Sequence, residues 1–267
     1  MTALTFRLEL RRSRILAVGL AVVVLVYGGL IAAVYPILLT NTAMIQDYMK
    51  LFPKELMAAF GMSGSLADPG IFFTTYIGSF LWPVVAAIGA IALATRPAAA
   101  DAERGWSDLP LGTPLTRGRY LGAAILCQVV VLAALAFVTV AGVLAVGTLV
   151  GAGFDPARFL AAGVVLWLFA CAMAGVTSVV AVITLSRGVA ASVTAGILIA
   201  MYLLNIVAQV QPDFAWLGDL TAFRYAGVGA LIDRGAADWV GMGVFTVVAV
   251  VGWAASLFLF RRRDLLP

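Results

Sequence analysis

Histidine is absent from the 267 residues, and lysine occurs only as Lys50 and Lys54. The first absence removes the side chain that titrates nearest neutral pH, and with it a common metal ligand. It also excludes a Ser–His protease and a zinc site of the H-E-x-x-H kind. Neither lysine follows a glycine, so the nucleotide-binding pattern G-x-x-x-x-G-K-[ST] is missing too. No catalytic constellation is available, and an enzyme is the least favoured class. Charge is scarce: 11% of residues are charged and 63% are hydrophobic, where a soluble domain carries about 25% charge. A chain so poor in polar groups cannot cover a folded surface in water, so lipid must be its solvent for much of its length. Cysteine is limited to Cys127 and Cys171, both inside apolar runs. Counted inward from the helix ends at ~1.5 Å per residue, they lie roughly 10 Å apart in depth, which predicts reduced thiols.

What is abundant is long hydrophobic runs. Six stretches contain no charged residue: 15–39, 71–95, 120–150, 159–185, 189–208 and 239–260. Each can cross a hydrocarbon core of ~30 Å, which takes about 20 apolar residues as a helix. The third is long enough to tilt or to extend beyond the core. Period-2 alternation is missing, which argues against a membrane β-barrel. The first run exceeds a signal-peptide core and is read as retained. The expected fold is an all-α membrane protein of six transmembrane helices, forming a single transmembrane domain over residues 1–267.

Charge sets the expected direction, because basic residues favour the cytoplasmic side. With the N-terminus inside, the inner segments hold Arg7, Arg11, Arg12, Arg14, Arg96, Arg104, Arg117, Arg119, Arg187, Arg261, Arg262 and Arg263, which is 12 of the 17 basic residues. The outer segments hold Lys50, Lys54, Arg158, Arg224 and Arg234, the other 5. Acidic residues run the other way, 5 inside and 8 outside. The net charge of +4 is thus a topology signal and not a nucleic-acid footprint. The expected location is the plasma (inner) membrane, multi-pass, with both termini cytoplasmic.

Four segments lie outside the runs. Residues 1–14 are basic and partly amphipathic, with Leu4, Leu8 and Ile15 on one helical face; they are either an inner surface helix or a plain orientation signal. In residues 40–70, Ile45, Tyr48, Phe52, Leu56 and Phe60 recur at helical spacing around Pro53, which predicts one or two short outer interfacial helices. Residues 96–119 form the sizeable inner loop, with three acids, four arginines, Pro97, Pro110 and Pro114. In residues 209–238, Tyr225, Val228, Leu231 and Ile232 predict another short helix, ended by Gly235.

The runs themselves hold no ionisable residue, and such residues mark ion and proton pathways within membranes. A proton-coupled transporter therefore loses most of its weight, while a sodium site made of backbone carbonyls stays open. Polar side chains are sparse there, and most are expected to hydrogen-bond between helices. Tyr202 and Asn205, and Trp82 beside the helix-breaking Pro83, are the best candidates to line a pathway.

The inner loop reads Asp101-Ala102-Glu103-Arg104-Gly105, then Leu109, then Thr113-Pro114-Leu115-Thr116-Arg117. This resembles the permeases of ATP-binding-cassette (ABC) transporters of the type-2 exporter class. Leu220 to Tyr225 and Phe260 to Leu265 are similar to the family's segment before the last span and to its C-terminal end. Ala102 interrupts the family's acidic cluster, and Trp106 stands where a small residue is usual. The resemblance implies a six-helix permease that completes its pathway with a second permease chain, identical or different, and is driven by two ABC ATPase subunits. ATP and Mg would then sit on those ATPases, with no cofactor on this chain. It also implies that the inner loop forms a coupling helix, with Asp101, Glu103, Arg104, Gly105 and Arg117 at the ATPase contact. The rivals are a membrane anchor or sensor that recruits a cytoplasmic partner, and a secondary transporter without intramembrane ionisable groups. An uncharged pathway suits hydrophobic drugs, lipids or amphipathic peptides better than inorganic ions.

Overall fold

The computed structural model describes residues 2–41, 47, 51, 53, 57, 65–97 and 116–262. Among these residues all regular structure is helical. Six helices are long and apolar enough to cross a membrane: α1 (Thr2–Thr40), α2 (Pro69–Thr95), α3 (Arg117–Leu149), α4 (Pro156–Thr184), α5 (Arg187–Val210) and α7 (Trp239–Arg262). A 3-10 segment, Pro212–Leu220, and a short helix α6, Val228–Arg234, lie between α5 and α7.

The helix ends have local causes. Asp155 caps α4: its carboxylate accepts from the main-chain N–H of Ala157 at 3.0 Å and of Arg158 at 3.5 Å, with Pro156 in the first turn. At the other end Leu185 turns left-handed, φ 50°, and Ser186 leads directly into α5. The last five runs match the helices to within three residues at each end.

The first differs. Residues 2–14, expected as an inner surface helix, are helical but form no element of their own, because α1 is unbroken from Thr2 to Thr40. No glycine or proline occurs before Gly19 to interrupt it. Arg12 pairs with Glu9 at 3.3 Å and the Ser13 hydroxyl donates to the Glu9 carbonyl at 2.9 Å, both along the helix. Ser13 is fully buried beside Cys127, so the helix is already docked on the bundle before the apolar run begins.

α4 is the central helix and touches α2, α3, α5, α6 and α7, while α1 packs along α3. Crossing of α4 and α7 is close because two glycines meet: a Cβ on Gly175 would stand 2.9 Å from the Ala249 carbonyl oxygen. Small residues permit this kind of backbone approach in lipid, where helix association rests on packing. The outer surfaces of α1, α5 and α7 are strings of exposed valine, leucine and isoleucine, as expected of faces turned to hydrocarbon.

The bundle has two distinguishable ends. Tyr120, Leu121, Ala181, Val182, Ala190 and Phe260 pack together at the end carrying the start of α1 and the end of α7, called here the terminal end. At the distal end, the Tyr35 ring packs tilted against Phe72 at 4.9 Å and Phe154 at 5.0 Å, and Phe154 stacks on Phe159 at 4.9 Å. Tyr35 also donates its hydroxyl to the Ala67 carbonyl. Tyr35 and Tyr120 each keep 2% exposure, so both are packing residues rather than members of an interfacial aromatic belt.

Candidate functional site

The distal end carries a clasp. α6 runs between two left-handed glycines, Gly227 and Gly235, and buries Val228, Leu231 and Ile232 as the spacing predicts. Its C-terminal carbonyls have no partner within the helix. Arg158, at the start of α4, supplies one: its Nη1 donates to the carbonyls of Ile232 at 3.2 Å and Asp233 at 2.7 Å. The same guanidinium pairs through Nε with Asp155 at 3.1 Å. The Asp233 carboxylate then accepts from the Gly70 N–H at 2.6 Å. That contact needs glycine, since a Cβ on Gly70 would collide with the Gly229 carbonyl oxygen and the Asp233 carboxylate. Three elements, α2, α4 and α6, are thereby tied at one point.

Beside the clasp a cavity of about 720 Å³ opens between α2, α4, α5 and the segment 223–234. One strip of α2, read as Asp68, Ile71, Thr74, Gly78 and Trp82, forms its long wall. From Pro69 to Trp82 the helix rises ~20 Å, so the cavity reaches the middle of the bundle. Val165, Leu166 and Phe169 of α4 and Asn205 and Gln209 of α5 line it further; the charged lining residues are Asp68, Arg224, Asp233 and Arg234, and the exposure of Asp68, Arg224 and Arg234 marks the mouth. Below the mouth the walls are uncharged.

Two of the three pathway candidates, Trp82 and Asn205, line this cavity. Trp82 is fixed in the wall, 1% exposed, with its Nε1–H donated to the Leu166 carbonyl at 2.9 Å. Tyr202 does not line it. Its ring stands edge-on to Phe223 at 5.6 Å, and Phe223 is the lining residue.

The α2 wall is not a regular α-helix. Thr74–Leu81 is a π-helical stretch inserted between Pro69–Phe73 and Trp82–Thr95. Pro83 supplies the reason: it has no N–H, and its ring would clash with the carbonyl four residues earlier, so the chain widens just before it. The consequence for hydrogen bonding is specific. Thr139, Thr177, Ser178 and Thr194 in α3, α4 and α5 each donate to the carbonyl four residues back. The Oγ1 atoms of Thr74 and Thr75, inside the π stretch, are buried with no partner.

A polar contact also crosses the bundle core. The Gln128 side-chain oxygen accepts from Trp253 Nε1 at 2.9 Å and from the Ser178 hydroxyl at 3.4 Å, joining α3, α7 and α4. Its Nε2 has no partner. Cys127 and Cys171 are buried and free, and among the described residues no group of His, Cys, Asp and Glu is placed to hold a metal ion.

At the terminal end a second concavity of about 450 Å³ is lined by Thr116, Gly118, Arg119 and Arg261. Asp101, Glu103, Arg104 and Gly105 lie outside the described residues, and so does most of the segment 40–70. Arg117 opens α3, with its side chain outside the description.

Arg158, Asp233 and Gly70 were missed by sequence reasoning, which read only a short helix within 209–238. The signals that point to them are Asp155-Pro156, a helix-start pair that puts Arg158 in the first turn, and Asp68-Pro69-Gly70, another such pair followed at once by glycine.

No curated protein shows significant similarity to the chain. The family described as ABC-2 family transporter protein matches residues 5–265. Six apolar helices, a cavity running from one end into their midst and this near-complete match agree: the chain belongs to the ABC-2 family of transporter proteins, as a membrane-spanning permease component.

Proposed function

We propose that this chain is the permease subunit of an ATP-driven exporter, that it forms its pathway with a second permease chain, and that two ATPase subunits bind its terminal end. The observation that carries the reading is the distal cavity, open at a charged mouth and uncharged down to Trp82. A member of a transporter family with such a cavity and no nucleotide motif of its own needs an external motor. In this reading the loop 96–119 receives the motor, with Asp101, Glu103, Arg104, Gly105 and Arg117 at the contact, and both termini face the cytoplasm of the plasma (inner) membrane. ATP and Mg act on the ATPases. Their closure favours one of two permease arrangements, and the difference in their affinity for the two does the work. Trp82 and Asn205 contribute to the pathway wall, and Tyr202 supports it through Phe223.

Affinity purification from native membranes in mild detergent tests this, with the co-purifying proteins identified by mass spectrometry. The expected result is a stoichiometric ATPase containing a P-loop. Recovery of the chain alone, or with a partner that is not an ATPase, from membranes shown to retain other intact complexes, would replace the exporter with the anchor or the secondary transporter.

A further inference from the structure

The mouth of the distal cavity carries four charged side chains, and two are already engaged. Asp233 accepts from the Gly70 N–H at 2.6 Å, and Arg224 pairs with Asp219 at 3.3 Å. The other two, Asp68 and Arg234, make no ion pair or side-chain hydrogen bond with each other or with any described residue. Among the described residues, one uncommitted charge of each sign therefore faces the opening.

Deeper in, the hydrogen-bonding capacity is also unspent. Thr74 Oγ1 has no partner, and the Asn205 amide makes no side-chain hydrogen bond among the described residues. Deeper still the surface is apolar and aromatic: Trp82, Val165, Leu166 and Phe169. The cavity is thus graded along ~20 Å of α2, from one free charge of each sign among the described residues through neutral polar groups to an apolar floor. A volume of about 720 Å³ lies inside the range of small-molecule sites, which is about 300–1,000 Å³.

We infer that this cavity is the binding site for a single-chain zwitterionic amphiphile. Its ammonium lies at Asp68, its acid group at Arg234, its linker polar atoms at Thr74 and Asn205, and its chain runs down to Trp82 and Phe169. A ligand of one charge sign would leave the other, exposed mouth charge without a partner and forgo that charge-assisted contact. A fully apolar ligand would do the same to both charges and to the two neutral groups. The inference deepens the exporter reading by naming its substrate class, and rests on it only for the idea that the ligand is transported.

The test uses the chain with its co-purifying partners in lipid nanodiscs. The probe is lysophosphatidylethanolamine with a photoactivatable diazirine at the chain end. An anionic lysophosphatidylglycerol and a cationic alkyltrimethylammonium with the same chain serve as comparators. Labelled residues are mapped by mass spectrometry in the wild type and in Asp68→Asn and Arg234→Gln, two mouth substitutions that spare the packed core. The expected result is labelling within 71–82 and 165–169, preferring the zwitterion about tenfold and falling about tenfold in each variant. Equal labelling by the three head groups would overturn the inference, and so would labels confined to the exposed faces of α1 and α7. Loss in only one variant would reassign the site to a ligand of single charge and overturn it too. An ATPase that co-purifies while the cavity stays unlabelled removes this inference and leaves the exporter standing. Cavity labelling without any ATPase partner does the reverse.

Discussion

Arg158 and Asp233 lie 75 residues apart and are joined at 2.7 Å, with the guanidinium of the first donating to the main-chain carbonyl of the second. The bond ends α6 and begins α4 at the same point. A hydrogen bond from a charged donor contributes about 1.5–3 kcal/mol when buried. The Arg158 side chain is 42% exposed, which reduces the expected contribution to about 1 kcal/mol. Arg158→Ala should lower the melting midpoint in detergent by about 2–4 °C. Arg158→Lys should recover little of it, since one ammonium cannot span two carbonyls and Asp155. A midpoint equal to wild type in both variants would show the clasp to be idle.

Gly70 should tolerate no side chain. Gly70→Ala drives a methyl into the Gly229 carbonyl and the Asp233 carboxylate, and overpacking of this kind costs about 1–3 kcal/mol. Because the damage is local, limited proteolysis should show faster cleavage within 227–238 while cleavage elsewhere is unchanged. Uniform protection would contradict the close approach.

Gln128 and Trp253 should be energetically coupled. Polar pairs between membrane helices average about 0.6 kcal/mol in double-mutant cycles and reach about 1.7. Gln128→Ala leaves the Trp253 N–H without its acceptor in the core, and Trp253→Phe removes the donor. The double variant should be more stable than the sum of the singles predicts, by roughly 0.5–1.5 kcal/mol in detergent unfolding. Strict additivity would mean that the 2.9 Å contact adds nothing.

The direction of the bundle can be read with a membrane-impermeant maleimide. In a background of Cys127→Ala and Cys171→Ala, Asp213→Cys should label in intact cells and Arg187→Cys only after permeabilisation. Both positions are exposed and belong to opposite ends of α5. The opposite pattern would invert the orientation drawn from the arginine distribution.

Coupling is tested at the inner loop. Glu103→Ala and Arg104→Ala should leave six inserted helices and a basal ATPase rate in the assembled complex, while export falls by roughly tenfold or more, the effect of losing ~1.4 kcal/mol of contact. Export unchanged in both variants would move the contact away from these residues.

The sequence made the helices legible because membrane insertion depends on length and on the absence of charge, both countable along the chain. It also marked the α6 stripe and its glycine end, where local rules suffice. α1 escaped it, since an amphipathic start and a continuous transmembrane helix have the same periodicity over 2–14; docking of Ser13 against Cys127 decides between them. The cavity was half legible. Trp82 drew attention through Pro83 and Asn205 through its polarity in an apolar run, and both are in the wall. Asp68, Arg158, Asp233 and Arg234 looked like ordinary loop charges. Their grouping depends on how α4 and α6 fold back over the start of α2, a long-range pairing that no local pattern encodes. Gly147 and Gly151, spaced like a helix-packing motif, have a different use: Gly147 makes room for the Phe154 ring, and Gly151 is left-handed just beyond α3.

α1 deserves its length for a mechanical reason. From Arg12 to Tyr35 it is one continuous helix of ~35 Å, with no proline until Pro36 near its far end and with its one glycine pair, Gly28-Gly29, packed against Val143 and Val146 of α3. α3 holds that pair in place, so the helix moves as one rod. A tilt imposed on the arginines at the terminal end must reappear as a sideways displacement of Tyr35, whose ring and hydroxyl hold Phe72, Phe154 and Ala67. The two faces of the membrane are in this way geared to each other through a single helix.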